Sequence, residues 1–231
     1  MKNKLNFLTG IADFFLPRFC ASCSTKLITR EDIVCSICLN KLNRVNKSRI
    51  AIQYLRKFRE TAIISDFYAL YLFEKEKEVQ RIIHQLKYNH RFHIGKFLGE
   101  NLGRAISEVI QPWQIDMIIP VPLHHLKKAE RGYNQSFYIT KGLNNILHIP
   151  VNHRIIKRKR FTQSQTNLDM KEREQNIKDA FALRRDSKIK GKNILLVDDV
   201  VTTGATVREC GRLLLNNGAN KIFVAAVAIA D

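Results

Sequence analysis

The chain has 231 residues, 45% of them apolar, enough to bury one medium core or two small ones, so disorder is excluded as its main state. Its 39 Lys and Arg against 21 Asp and Glu leave a formal charge of +18. Such an excess favours polyanions (nucleic acid, phosphorylated metabolites, an anionic membrane surface) and says nothing about fold.

No stretch approaches the roughly 18 uncharged apolar residues of a membrane-spanning helix. Lys2 and Lys4 precede the apolar run Leu5–Leu16, as in a signal peptide, but Asp13 interrupts it and Pro17-Arg18-Phe19-Cys20 offers no small-residue cleavage site. Residues 3–16 are instead expected to form an amphipathic helix with Leu5, Leu8, Ala12, Phe15 and Leu16 on one face. The expected location is the cytosol.

Cys20, Cys23, Cys35 and Cys38 follow, spaced C-x2-C-x11-C-x2-C. Two such knuckles bring four thiolates together tetrahedrally around one metal, with Zn2+ as the default ion. A shell of four thiolates leaves no open position, so the role is structural: the ion folds a segment too small to bury its own core. The spacer of 11 is shorter than the roughly 15–20 of zinc ribbons. Two disulfides are the competing reading, disfavoured by the lack of an export signal.

Residues 40–60 carry seven Lys and Arg against Glu60 and are read as a basic connector. Ile63–Phe73 is rich in β-branched and aromatic residues and predicts a strand. Val79, Ile82, Ile83 and Leu86 predict a helix over 75–88. Leu98, Leu102, Ala105, Ile106 and Val109 predict another, closed by Pro112. A short strand is expected at Asp116–Val121, then a Pro- and His-rich loop, then a helix around Asn134–Asn145. His124 and His125 in that loop are read as exposed rather than as ligands or proton donors. Ile194–Val197 predicts a buried strand, Thr206–Leu215 a helix stopped by Gly218, and Ile222–Ile229 a further strand. Cys210 falls on the apolar side of its helix with Val207 and Leu214, as a buried small hydrophobe rather than a reactive thiol. Strands alternating with helices predict an α/β fold, a parallel sheet with helices on both faces. The expected divisions are a zinc module over 1–45, a connector and strand over 46–73, and an α/β domain over 74–231.

The chemistry concentrates in Ile194-Leu-Leu-Val-Asp198-Asp199-Val200-Val-Thr202-Thr203-Gly204-Ala205-Thr206. Four apolar residues lead a strand into two adjacent carboxylates, and a turn of small hydroxyl residues and glycine then opens a helix. Backbone N–H groups of that turn, at a helix N-terminus, suit a phosphate, and Gly204 permits close approach. Asp198 and Asp199 stand where α/β sheets bind ligands and suit ribose hydroxyls, directly or through a cation. A charged strand-to-loop junction before an ordinary capped helix is the plainer alternative.

This segment resembles the phosphoribosyl pyrophosphate (PRPP) loop of type I phosphoribosyltransferases. With the four cysteines and Arg131-Gly-Tyr-Asn-Gln135, it resembles the ComF family, which couples a four-cysteine zinc module to such a domain. Ile119-Pro-Val-Pro-Leu123 is similar to the family's first core strand and pyrophosphate-side loop. Thr162, Gln165, Leu168, Arg173, Asn176 and Ala180-Phe181 are similar to its spaced signature across a mobile loop. The likeness runs from Phe15 to the end of the sequence.

The resemblance implies a type I phosphoribosyltransferase-like fold and a ligand of PRPP with Mg2+. Asp198 and Asp199 would hold the ribose and stabilise positive charge at its C1. Val200 and the Thr202–Thr206 turn (Thr202, Thr203, Gly204, Ala205, Thr206) would bind PRPP through its 5′-phosphate. Arg131 and Lys128 would reach pyrophosphate oxygens. Lys157, Arg158, Lys159, Arg160 and Arg173 would belong to a flexible loop closing on that group, although a solvated surface or a nucleic-acid contact suits the run 157–160 equally. Phe161 and Tyr133 are the aromatics expected to flank the cleft. The resemblance also implies handling of single-stranded DNA entering the cytosol during natural transformation, with a helicase-type uptake motor as partner. An active phosphoribosyltransferase with an unknown acceptor, or a PRPP-sensing regulator, are the other readings.

Overall fold

A computed structural model describes residues 17–88, 90–160, 177–184 and 188–231. The expected helix over 3–16, Phe161, and the signature from Thr162 to Asn176 with Arg173 lie outside the described residues.

Helices α1 (Ser36–Asn40), α2 (Lys47–Lys57), α3 (Glu78–Tyr88), α4 (Phe92–Ile106), α5 (His125–Arg131), α6 (Gln135–Leu147) and α7 (Ala205–Leu215) accompany six strands: β1 (Asp66–Leu72), β2 (Met117–Pro120), β3 (Ile156–Arg158), β4 (Phe181–Leu183), β5 (Asn193–Val201) and β6 (Lys221–Ile229). Four strands form one sheet in the order β1-β6-β5-β2, and every pair is parallel. β3 and β4 form a separate antiparallel ribbon. Parallel strands need both faces covered, and the buried residues fall into two clusters to match. Leu86, Leu98, Leu102, Ile139 and Leu143 of α3, α4 and α6 cover one face; Val207, Cys210 and Leu214 of α7, with Phe58, cover the other. The expected α/β architecture is the one observed, and Cys210 is wholly buried.

The cysteine segment packs into the first of these clusters: Cys20, Ala21, Leu27, Ile33 and Val34 share it with α3 and α4. Among the described residues no helix is long and apolar enough to cross a membrane.

Four local expectations are corrected. The helix expected to reach Pro112 ends at Ile106, and Pro112 lies in a separate 3-10 turn, Gln111–Trp113. The loop after Val121 contains a helix, α5, which Gly132 ends in the left-handed region at φ +77°. Within the basic connector, residues 47–57 form α2, whose first turn is capped by Asn46 accepting from the Arg49 N–H. The strand expected over Ile194–Val197 continues to Val201, so Asp198 and Asp199 belong to it rather than follow it. β2 stops opposite Val197, however, so β5 outruns its neighbour and carries both carboxylates beyond it.

The sites rest on the close crossing of α4 and α6. A Cβ on Gly99 would stand 1.9 Å from the Ile139 carbonyl oxygen, and one on Gly142 would stand 2.0 Å from that of Lys96. Only glycine fits at either point.

Candidate phosphoribosyl and metal sites

Each carboxylate of the pair has its own set of donors. Asp198 Oδ1 accepts from Ser136 Oγ at 3.0 Å and from the Asp199 N–H at 2.9 Å. Asp199 Oδ1 accepts from the Val200 N–H at 2.7 Å, and its Oδ2 lies 3.0 Å from Lys87 Nζ. Burial first, and the charge of Asp199 second, push the Asp198 carboxyl up to about 7. Near neutral pH it can therefore offer either a donor or an acceptor to a hydroxyl.

Beyond the pair the chain makes the expected turn. Gly204 adopts φ +78°, and a Cβ there would meet the Phe58 ring at 2.6 Å. Thr203 Oγ1 accepts from the Ala205 N–H at 3.3 Å, so α7 begins with one N–H already engaged. Arg208 Nη1 donates to the Thr203 carbonyl at 2.9 Å and to that of Lys57 at 2.7 Å, tying the turn to α2. Thr202 is exposed, and Thr203 and Thr206 are half-buried.

The segment Arg131–Gln135 leads into α6, which carries Ser136 to Asp198. Asn134 caps α6, its Oδ1 accepting from the Ser136 N–H at 3.0 Å, while its Nδ2 donates to the Val121 carbonyl at 2.9 Å. Tyr133, expected to flank the cleft, is buried instead, and its hydroxyl donates to the Leu86 carbonyl. It anchors the end of α3 at the residue before Lys87. Arg131 lies over the Tyr88 ring at 5.2 Å, with its buried Nε unpartnered.

Lys127, half-buried on α5, has its ammonium pulled down by burial, then by Arg131 and Arg158, with Glu130 opposing and Lys87 adding to the effect. Arg131, Arg158 and Lys87 thus all act on Lys127, with Lys87 paired to Asp199 and Asp198 acting on Arg158, a set of like charges that an anionic ligand with several oxygens would relieve. The structure brings Lys127 into this group, whereas the expected Lys128 is exposed and acts on His153. Lys157 and Arg158 lie on β3, with Arg158 over the Phe181 ring at 5.4 Å. Lys159 and Arg160 follow, exposed. Of the paired histidines, His125 is exposed as expected but His124 is buried, and its Nδ1 accepts from the Leu126 N–H at 3.3 Å to cap α5.

Lys87 is the residue that sequence reasoning missed. It closes an amphipathic helix with an ordinary basic residue, and its partner lies far along the chain, so no local pattern marks it. Lys127 escaped for a similar reason, since only the helical turn of α5 separates its direction from that of Lys128.

The other candidate site is the cysteine cluster. Its four Sγ atoms lie within 4.8 Å of one another, with Cys20, Cys35 and Cys38 buried and Cys23 exposed. The N–H groups of Ser22 and Cys35 donate to Cys20 Sγ at 3.4 and 3.3 Å. The Thr25 hydroxyl is 3.3 Å from Cys23 Sγ, and its hydrogen bond is the first cause lowering that thiol to about 6. Burial pushes Cys38 up to about 12. N–H groups aimed at sulfur and one readily formed thiolate suit a cation among them.

An all-parallel sheet carrying this carboxylate pair and turn at its carboxyl edge defines a phosphoribosyltransferase-type domain, and a family model described as "Phosphoribosyl transferase domain" matches residues 134–230. Competence protein F of Haemophilus influenzae is 36% identical over 153 residues, covering 64% of this chain and 67% of that one. DNA utilization protein YhgH of Escherichia coli K12 is 36% identical over 146 residues, 62% of this chain and 63% of that one. Competence protein ComFC of Bacillus subtilis is 23% identical over 201 residues, 87% of this chain and 79% of that one. The chain belongs to the ComF family. The matched segment spans about two thirds of the first two relatives. A purine phosphoribosyltransferase from Pyrococcus horikoshii overlays 58% of this chain and 74% of its own, with a TM-score of 0.37 and 21% identity.

Proposed function

We propose that this chain binds PRPP with Mg2+ through Asp198, Asp199 and the Thr202–Thr206 turn, and that it handles single-stranded DNA in the cytosol during natural transformation. The observation that carries the reading is the carboxylate pair, one member held by Ser136 and the other by Lys87, set directly before a turn that opens a helix. The 5′-phosphate would take backbone N–H groups of the 202–206 turn other than that of Ala205, which Thr203 Oγ1 already engages. The ribose hydroxyls would take the carboxylates. The pyrophosphate would face Lys87, Lys127, Arg131 and Arg158, whose mutual repulsion it would relieve. When bound, Mg2+ would neutralise pyrophosphate charge; the protein's part is to orient the carboxylates. The zinc-holding cysteines would keep the module over residues 1–45 folded against the domain over 74–231, with 46–73 joining them.

The DNA role rests on the names of the relatives, competence protein and DNA utilization protein, and on the charge of +18. An uptake helicase is the protein partner that the family resemblance implies.

Calorimetric titration with Mg2+-PRPP tests the ligand. Saturable one-site binding to the wild type, lost in Asp198→Asn/Asp199→Asn, is expected. Absence of binding to the zinc-loaded wild type would sink the ligand assignment. Release of pyrophosphate with an added acceptor would make the chain a transferase as well.

A further inference from the structure

The residue after Ser136 opens a second surface. Phe137 and Tyr138 follow Ser136 on α6, both half-buried, their ring centroids 5.5 Å apart. Tyr138 meets Phe92, at the start of α4, at 4.9 Å, and Phe137 meets His153 at 4.8 Å. Four rings thus run in unbroken contact across two helices and the segment between α6 and β3. Phe92 is 43% exposed, His153 is exposed, and Phe137 and Tyr138 are half-buried. Lys141, one turn further along α6, lies over both of its rings, 4.9 Å from the Phe137 centroid and 5.6 Å from that of Tyr138.

At the His153 end of this row the charge has one sign, whereas at the Phe92 end Arg91 and Asp32 both act on the neighbouring His93. The groups acting on His153 are Arg154, Lys128, Arg184 and Lys141, all basic. Lys96, exposed on α4, has its backbone against Gly142, one residue beyond Lys141. Tyr138 is held from below: its ring meets that of the buried Tyr133 at 5.3 Å, and a Cβ on Gly95 of α4 would stand 2.9 Å from its own. A row of partly exposed rings bordered by lysine and arginine matches what a single strand presents: base faces to stack, and one phosphate per nucleotide to neutralise.

We infer that the row Phe92–Tyr138–Phe137–His153, with Lys141 above it, is a stacking platform for single-stranded nucleic acid, beginning one residue from the side chain that holds Asp198. The inference rests on the DNA-handling reading and locates it. A duplex hides its base faces within its own stack, and an acidic peptide would use the cations but leave the rings idle.

The test is fluorescence anisotropy with a labelled 15-mer of deoxythymidylate, and with an abasic oligomer of the same length, at two or more salt concentrations. Phe92→Leu/Tyr138→Leu should weaken the 15-mer by roughly ten-fold or more while Tyr138→Phe leaves it within about two-fold. Lys141→Ala should lower the slope of log affinity against log salt by about 0.7. Thermal melting of each variant separates lost binding from lost fold, and the abasic oligomer, tested on the wild type, keeps the proposal testable should the double variant fail to fold. Equal affinity for the abasic oligomer, or unchanged binding by a folded double variant, would overturn the platform and leave DNA handling to another surface. No binding of the 15-mer by the wild type would remove the DNA-handling reading itself.

Discussion

Lys87 Nζ stands 3.0 Å from Asp199 Oδ2, joining the last turn of α3 to the carboxyl edge of β5. Both side chains are largely buried, 25% and 10% exposed, and the Tyr133 hydroxyl fixes the preceding carbonyl. A cation therefore already sits where a ligand's charge would arrive. It orients one carboxylate before the site is filled.

Replacing Lys87 with Met should leave that carboxylate buried without its partner. The expected loss of stability is about 1–3 kcal/mol, with Mg2+-PRPP affinity falling at least several-fold. Chemical denaturation and calorimetry measure the two effects. Full stability together with full affinity would show the contact to be incidental.

Asp198 gives the protein a specific pH dependence. Its carboxyl is raised to about 7 in the folded state, so the folded protein holds that proton more tightly than the unfolded chain does. The associated stability is fully present below about pH 4 and is lost as the pH rises through about 7. Asp198→Asn, which can keep an acceptor for Ser136, should therefore gain in Tm over the wild type progressively from pH 4 to pH 7 and level off above. A difference that is constant across that range would contradict the assignment.

Metal removal should be felt beyond the cysteine segment, because Cys20, Leu27 and Val34 share a core with α3 and α4. One Zn2+ per chain is expected by elemental analysis. Its extraction by a strong chelator, or Cys35→Ser, should lower Tm by roughly 2–4 °C for each kcal/mol of metal-linked stability lost in a chain of this size. An unchanged melt after verified extraction would dissociate the cluster from the fold.

At the crossing of α4 and α6, Gly142→Ala would place a methyl 2.0 Å from the Lys96 carbonyl oxygen. The helices must separate, at a cost of about 1–3 kcal/mol. Because α6 carries Ser136, ligand affinity should fall together with Tm. The exposed Gly191, where an added Cβ meets nothing within 4 Å, has no such crossing to disturb. Its φ of +69° limits any Ala effect to backbone strain, leaving ligand affinity as it was.

What the sequence made legible was local. The β5 strand and the turn after it announce themselves because four apolar residues, two acids and a Thr-Thr-Gly turn are contiguous. The cysteine cluster is equally plain, since two short knuckles leave the thiols little choice of partner. α5 was hidden because its seven residues contain one large apolar side chain, Leu126, and so carry no helical period; Gly132 was the available stop signal. α2 could have been found from Asn46 and the apolar spacing of Ile50 and Tyr54, which the surrounding basic residues obscured. The pairing of Lys87 with Asp199 is a tertiary contact between distant segments. No residue pattern along the chain encodes which lysine will reach a given carboxylate.

β6 lies between β1 and β5, yet it follows both in the chain. During synthesis, β1 and the helices up to α7 leave the ribosome before the strand that joins the two halves of the sheet exists. Until then β1 and β5 each show an unpaired edge, and the Phe67 and Leu196 sides of the sheet lack the strand that joins them. The Lys87–Asp199 contact comes from opposite sides of that gap. The nascent chain should thus depend on holdase chaperones until β6 emerges, and it should acquire ligand affinity abruptly rather than by degrees.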